Sequence, residues 1–192
     1  MNRSILVIFI FALFGLFSCQ EDETLDQLQL VDTESTSIFV EETNDHIIIH
    51  VEVLSDITDN RNGEVNTRDY CNISFDINSN NQIDSEIDFG YESPTNNYEI
   101  CSYYFLDEGA ITHCGGHATS AIFTGSFAAS ERKAIPHMIW TLTISKDELN
   151  QKRKLSFVVK TIDAGIFSTF PITPKNENPL SFDFSETLTF QW

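Results

Sequence analysis

The stretch with the clearest chemical potential is FDINSNNQIDSEID, Phe75 to Asp88, which places oxygen-bearing side chains at alternate positions. Asp76, Asn78, Asn80 and Asp84 fill the first, third, fifth and ninth places of a calcium loop. Gln82 would offer its backbone carbonyl at the seventh place, and Ile83 is the apolar peg at the eighth. Asn81 stands where glycine is usual, and asparagine tolerates the left-handed backbone that this place requires. The twelfth place is Ile87 instead of a bidentate acid, with Glu86 and Asp88 on either side. A strand-like YCNISF precedes the loop where a helix would normally stand. Two readings fit. One is a weak structural calcium site built from Asp76, Asn78, Asn80, Gln82, Asp84 and Asp88, with a dissociation constant of about 10⁻⁴–10⁻³ M. The other is a long turn whose Asn and Asp side chains bond the local backbone.

The compartment decides whether calcium could reach such a loop. Arg3 precedes a run of apolar residues, Ile5 to Phe17, too short to span a bilayer and suited to a secretory signal. Leu16, Ser18 and Cys19 then resemble a bacterial lipobox, from which Phe17 departs; the resemblance implies that Cys19 carries palmitate-type acyl chains and becomes the first residue. Two chains anchor stably where one is marginal. Glu21, Asp22 and Glu23 resemble an export tag for the outer face of the outer membrane. The expected organisation is a signal peptide over 1–18, an acidic tether over 19–30 and one domain over 31–192.

Removing the signal takes away Arg3 and no acid. The remaining 10 basic and 29 acidic residues give a net charge of −19. Such a balance excludes a basic nucleic-acid footprint and favours attraction of divalent cations.

Three other cysteines remain, Cys71, Cys101 and Cys114. A two-residue hairpin turning at Asp107-Glu108 would set Cys101 opposite Cys114, at a spacing a disulfide accepts. Cys71 would then be a buried thiol; its pairing with either of the others is the alternative. HCGGH offers His113, Cys114 and His117, one ligand short of a closed zinc site. His46 and His50 share a strand face but lie about 13 Å apart, too far to hold one ion. No serine sits in a nucleophile elbow, and Asp107-Glu108 reads more simply as a turn than as catalytic acids. The sequence therefore points away from an enzyme.

Sixteen phenylalanines and abundant Ile, Thr and Val favour strands. SIFVEE, HIIIHVEVL, YCNISFDI, NYEICSYYFL, GAITHC, HMIWTLTIS, KLSFVVKTIDA and ETLTFQW alternate between turn signals. In the second, Ile47, Ile49, Val51 and Val53 share one face. SKDELNQ reads as a helical turn, with Ser145 and Glu148 as a capping box. The expected fold is an all-β antiparallel sandwich of about eight to ten strands with one short helical turn.

Taken in order, SIFVEETNDHIIIHVEVLSD, CNISFDINSNNQID, HMIWTLTISKDEL, LSFVVKTIDAG and ETLTFQW resemble the strands of a family-nine-type carbohydrate-binding module and of the related DOMON sandwiches, over about residues 37–192. The resemblance implies sugar binding through exposed aromatics. Tyr91, Tyr98, Tyr103 and Tyr104 are the candidates for stacking, whereas Trp140 and Trp192 alternate with apolar neighbours and read as core. Haem-binding relatives need an axial Met with His or Lys. Met138 and His137 face opposite ways on one strand, so neither haem nor a nucleotide is expected. The functional expectation is a non-catalytic module binding a glycan. The alternative is an accessory lipoprotein that binds a protein partner and no sugar.

Overall fold

A computed structural model describes residues 26–64, 67–85, 87–93, 103–114, 120–149, 153–173 and 181–192. The signal peptide, Cys19, most of the acidic tether, Tyr98, Cys101 and His117 lie outside the described residues. The architecture is all-β, with two antiparallel sheets facing each other. Twelve strands are present among the described residues: β1 (Asp26–Asp32), β2 (Thr36–Glu42), β3 (His46–Val53), β4 (Tyr70–Asp76), β5 (Phe89–Glu92), β6 (Tyr104–Asp107), β7 (Ala110–Cys114), β8 (Ile122–Ala128), β9 (His137–Ser145), β10 (Lys154–Asp163), β11 (Ile166–Phe170) and β12 (Leu188–Gln191). One sheet runs β1-β2-β3-β9-β8. The other runs β11-β10-β4-β5-β6-β7, with β12 beside β11 on the same flank of β10.

The first sheet follows the period of two. Ile47, Ile49 and Val51 are fully buried, and His46, Ile48 and His50 between them are half-buried. Opposite them on β9, Met138, Trp140, Leu142 and Ile144 point into the same interior. β1 takes up part of the segment assigned to the tether. Its Leu28 lies opposite Val40, and Leu30 packs on the core.

The second sheet departs from simple alternation. Its inner face carries Cys71, Ile73, Phe75, Phe157 and Val159. Its outer face is roofed by the segment that follows residue 180. There Phe182 and Phe184 form a second apolar cluster with Tyr104, Leu106 and Val158. Lys160, on that outer face, is sealed beneath: its ammonium donates to the Ser181 carbonyl and lies over the Phe182 ring at 4.5 Å.

Two hairpins use left-handed pairs. Glu108-Gly109 (φ 48° and 86°) joins β6 to β7, and Ala164-Gly165 (φ 47° and 88°) joins β10 to β11. Positive φ at both central residues matches the right-handed twist of the flanking strands. The first turn therefore falls one residue later than expected, pairing Asp107 with Ala110. A bulge follows, and Cys114 ends opposite Tyr104 instead of Cys101. The register argued for the Cys101–Cys114 disulfide is thus corrected; the pair itself lies outside the described residues. Cys71 is a buried free thiol, and burial pushes its ionisation well above the usual range.

The short helix is also corrected. Residues 146–149 form hydrogen-bonded turns, not a helix. Ser145 caps only locally, its hydroxyl accepting from the Asp147 amide at 3.2 Å. Glu148 does not close a box. Its carboxylate accepts from Tyr91 Oη at 2.6 Å and from the Ser120 amide and hydroxyl at 2.6 and 2.5 Å.

Candidate functional site

Three tyrosines proposed for stacking are buried. Tyr91, Tyr103 and Tyr104 are 2%, 5% and 0% exposed. Tyr91 and Tyr103 contact each other edge to face, with ring centroids 5.5 Å apart, within a cluster that includes Phe89 and Phe105. Tyr104 turns to the other face and meets Ser74 Oγ at 2.8 Å. No ring face of the three is open to a sugar, because Tyr91 on β5, Tyr104 on β6 and Tyr103 just before β6 all turn into the two apolar clusters.

The Asp76 loop has the bend its spacing predicts. Asn81 adopts φ 62°, and Ser79 adopts φ 54°. The Asp76 carboxylate accepts from the Asn80 amide at 3.2 Å and the Asn81 amide at 2.8 Å. Asn78 and Asn80 both donate side-chain amides to Asp84 Oδ2, at 2.6 and 2.7 Å. A cation there would need both amides reversed so that their oxygens face it. The Gln82 amide donates to Asn80 Oδ1 at 2.8 Å. Asp88 is fully buried and holds the amides of Ile77 and Asp84 at 2.9 and 2.7 Å. Burial, with Asp76 and Asp84 adding repulsion, pushes its carboxyl up to about 6 against the pull of those amides.

A different group of acids converges more tightly. Asp56 follows β3, Asp69 precedes β4 and Asp163 closes β10, and one oxygen from each lies within 4.8 Å of the others. Asp56 and Asp69 are buried. Asp69 accepts from the amides of Asn60 at 2.6 Å and Ala164 at 3.2 Å. Burial first and the Asp69 charge second push the Asp56 carboxyl up to about 7. Burial also raises Asp69 and Asp163. Arg61, whose charge reaches Asp69, is held by both oxygens of Asp59 at 2.8 and 2.7 Å. This convergence has no local spacing signature, since it joins two loop residues and the end of a strand that lie far apart in the chain.

An open cleft of about 380 Å³ lies at one end of the sandwich, bridging the two sheets. Asn44 and Asp45 come from the β2–β3 turn, Ser145, Lys146 and Asp147 from the end of β9, Arg153 from before β10, and Trp192 from after β12. Backbone bonds fix this rim: Lys146 N to Asp45 O at 2.9 Å, and Trp192 N to Arg153 O at 3.0 Å. Lys146 reaches back to Glu42 at 2.5 Å. The Trp192 indole rests on Phe190, with centroids 5.7 Å apart and planes at 21°, and stays half-buried. The expectation that both tryptophans are core holds for Trp140, at 1% exposure, and in part for Trp192, which packs against the same core while its other side lines the cleft. An indole beside amide, carboxylate and guanidinium groups supplies the two elements of sugar recognition, an apolar platform and hydrogen-bonding partners.

The side chains of His113 and Cys114 lie outside the described residues. His46 is a half-buried strand residue, and His50 stacks on Phe39 at 4.5 Å and faces Glu41. His137 is fully buried, with its ring nitrogens against Ile135 O at 3.0 Å and Glu52 at 3.3 Å.

No family model matches the chain, and no curated protein matches it. Among solved structures, a carbohydrate-binding module of family 9 from Caldicellulosiruptor kristjanssonii, determined in complex with glucose, is similar at a TM-score of 0.50 and 14% identity. The similarity covers 87% of this chain and 83% of that one. At this identity the likeness shows a shared β-sandwich fold.

Proposed function

We propose that this chain is a non-catalytic, glycan-binding β-sandwich module, anchored through acylated Cys19 and displayed on the outer face of a bacterial outer membrane. The observation that carries the binding reading is Trp192, half-buried on Phe190 at the mouth of a polar cleft between the two sheets. A sugar ring laid on the indole would meet Asn44, Asp45, Ser145 and Asp147 with its hydroxyls. The fold shared with a module solved with glucose supports the same class of ligand. A structural calcium in the Asp76 loop belongs to this reading. It is supported by the left-handed Asn81 and by the grip of Asp76 on the amides at the fifth and sixth places.

A glycan array probed with the soluble form, Cys19 replaced, tests the reading. Binding that disappears in Trp192→Ala supports it; silence across the array transfers the assignment to a protein-binding accessory lipoprotein. Display is tested by external protease on whole cells. Cleavage in intact cells is the expected result, and protection until lysis refutes surface exposure.

A further inference from the structure

Resting on the glycan-binding reading of the Trp192 cleft, we propose that the cleft selects a saccharide bearing an anionic group, a carboxylate or a sulfate, and that Arg153 is the residue that reads it. The argument begins with the charge inventory. The chain has 29 acids to 11 lysines and arginines, so a basic side chain is surrounded by candidates for pairing. Arg61 is bound by Asp59, Arg132 by Asp32 and Lys146 by Glu42. Arg153 is exposed and has no ion pair among the described residues, although Asp45 and Asp147 line the same cleft.

A guanidinium kept open beside an indole is the donor geometry that suits an oxyanion, whether a planar carboxylate or a tetrahedral sulfate. It presents paired N–H groups to two oxygens at once. A neutral sugar would leave that fork bound to water. Lys146 cannot serve in its place, because its ammonium is held by Glu42. The backbone bond from Trp192 N to Arg153 O ties platform and reader together, so an anionic substituent on a ring stacked at Trp192 falls beside Arg153. Asp45, on the same rim, can accept from hydroxyls.

The test uses the soluble chain with Cys19 replaced and three trisaccharides of one sugar: neutral (1→4)-galactotriose, trigalacturonate and a sulfated galactotriose. Titration calorimetry reads the affinities. The expected result is at least tenfold tighter binding of one or both anionic forms than of the neutral one, with the two arms telling carboxylate from sulfate. Arg153→Gln should remove that preference, a loss of about ten- to a hundredfold for the anionic forms relative to the neutral one. Equal binding of all three by the unmodified chain overturns the role of Arg153 and leaves the glycan reading standing. Preference that survives Arg153→Gln also overturns it. Binding of none of the three overturns this inference for the class tested, and the array then decides the broader reading.

Discussion

Gly90 on β5 sits directly opposite Tyr104 on β6, and the tyrosine ring occupies the space a side chain would need. A Cβ on Gly90 would stand 2.5 Å from Tyr104 Cζ and Oη and 2.6 Å from Cε2. The ring has nowhere to go. It is fully buried, its hydroxyl is 2.8 Å from Ser74 Oγ, and Phe182 covers it at 6.2 Å between centroids. Overpacking of a tight interior costs about 1–3 kcal/mol. Displacing the ring also breaks a buried hydrogen bond, about 1–3 kcal/mol more. Gly90→Ala should therefore destabilise by about 2–6 kcal/mol, and a domain of this size loses about 2–4 °C of Tm per kcal/mol. Differential scanning calorimetry on the soluble form measures it. The cause is checked by repeating the substitution in a Tyr104→Leu background, where most of the penalty should vanish because the ring is gone. A Tm unchanged to within about 2 °C, or the same loss in both backgrounds, would show that the ring is not what keeps residue 90 small.

Other outcomes follow from the acids, the tyrosines and the thiol. Asp56 and Glu92 are raised to about 7 and Asp88 to about 6, chiefly by burial. Folded-state values above the unfolded ones mean that the contribution is fully present below about pH 4 and is lost as pH rises through 6–7. In chelator, Tm should thus fall between pH 5 and pH 8; a rise across that window contradicts the assignment. Millimolar calcium should raise Tm in a chelator-washed sample, and Asp84→Asn should abolish the response. Loss of the response in Asp56→Asn instead would move the ion to the Asp56–Asp69–Asp163 group. Tyr91→Phe removes the donor to Glu148 and should cost about 1.5–3 kcal/mol in urea unfolding; an unchanged midpoint refutes the coupling. Cys71 should resist a thiol reagent until the protein unfolds, and its appearance in a crosslinked peptide of a non-reduced digest would contradict a free thiol.

The sandwich was legible where one sheet face meets water. β3 and β9 alternate in sequence as they do in burial, and Trp140 falls where its neighbours Met138 and Leu142 predict. Alternation is a poor guide in the second sheet, because the roof over its outer face buries both sides of β4 and β10. The tyrosines were misplaced for the same reason: an aromatic-rich run reads alike whether its rings face a core, a roof or solvent. Strands β5 and β8 escaped notice because each contains a glycine tucked under an aromatic ring, Gly90 under Tyr104 and Gly125 under Trp140. β11 was hidden by a tight turn at Ala164-Gly165 within one apolar run. The bend of the Asp76 loop was readable because its spacing is local. The acid convergence and the Trp192 cleft were not, since each joins residues from distant loops.

Lys160 makes the roof observable by chemistry. Burial lowers its ammonium to about 8 while the roof is closed, and lifting the roof returns it to the ordinary lysine range. An acylating reagent could reach that amine only while Phe182 and Ser181 are lifted away. Its labelling rate, set against that of the exposed Lys154, is therefore a clock for how often the roof around residue 182 opens.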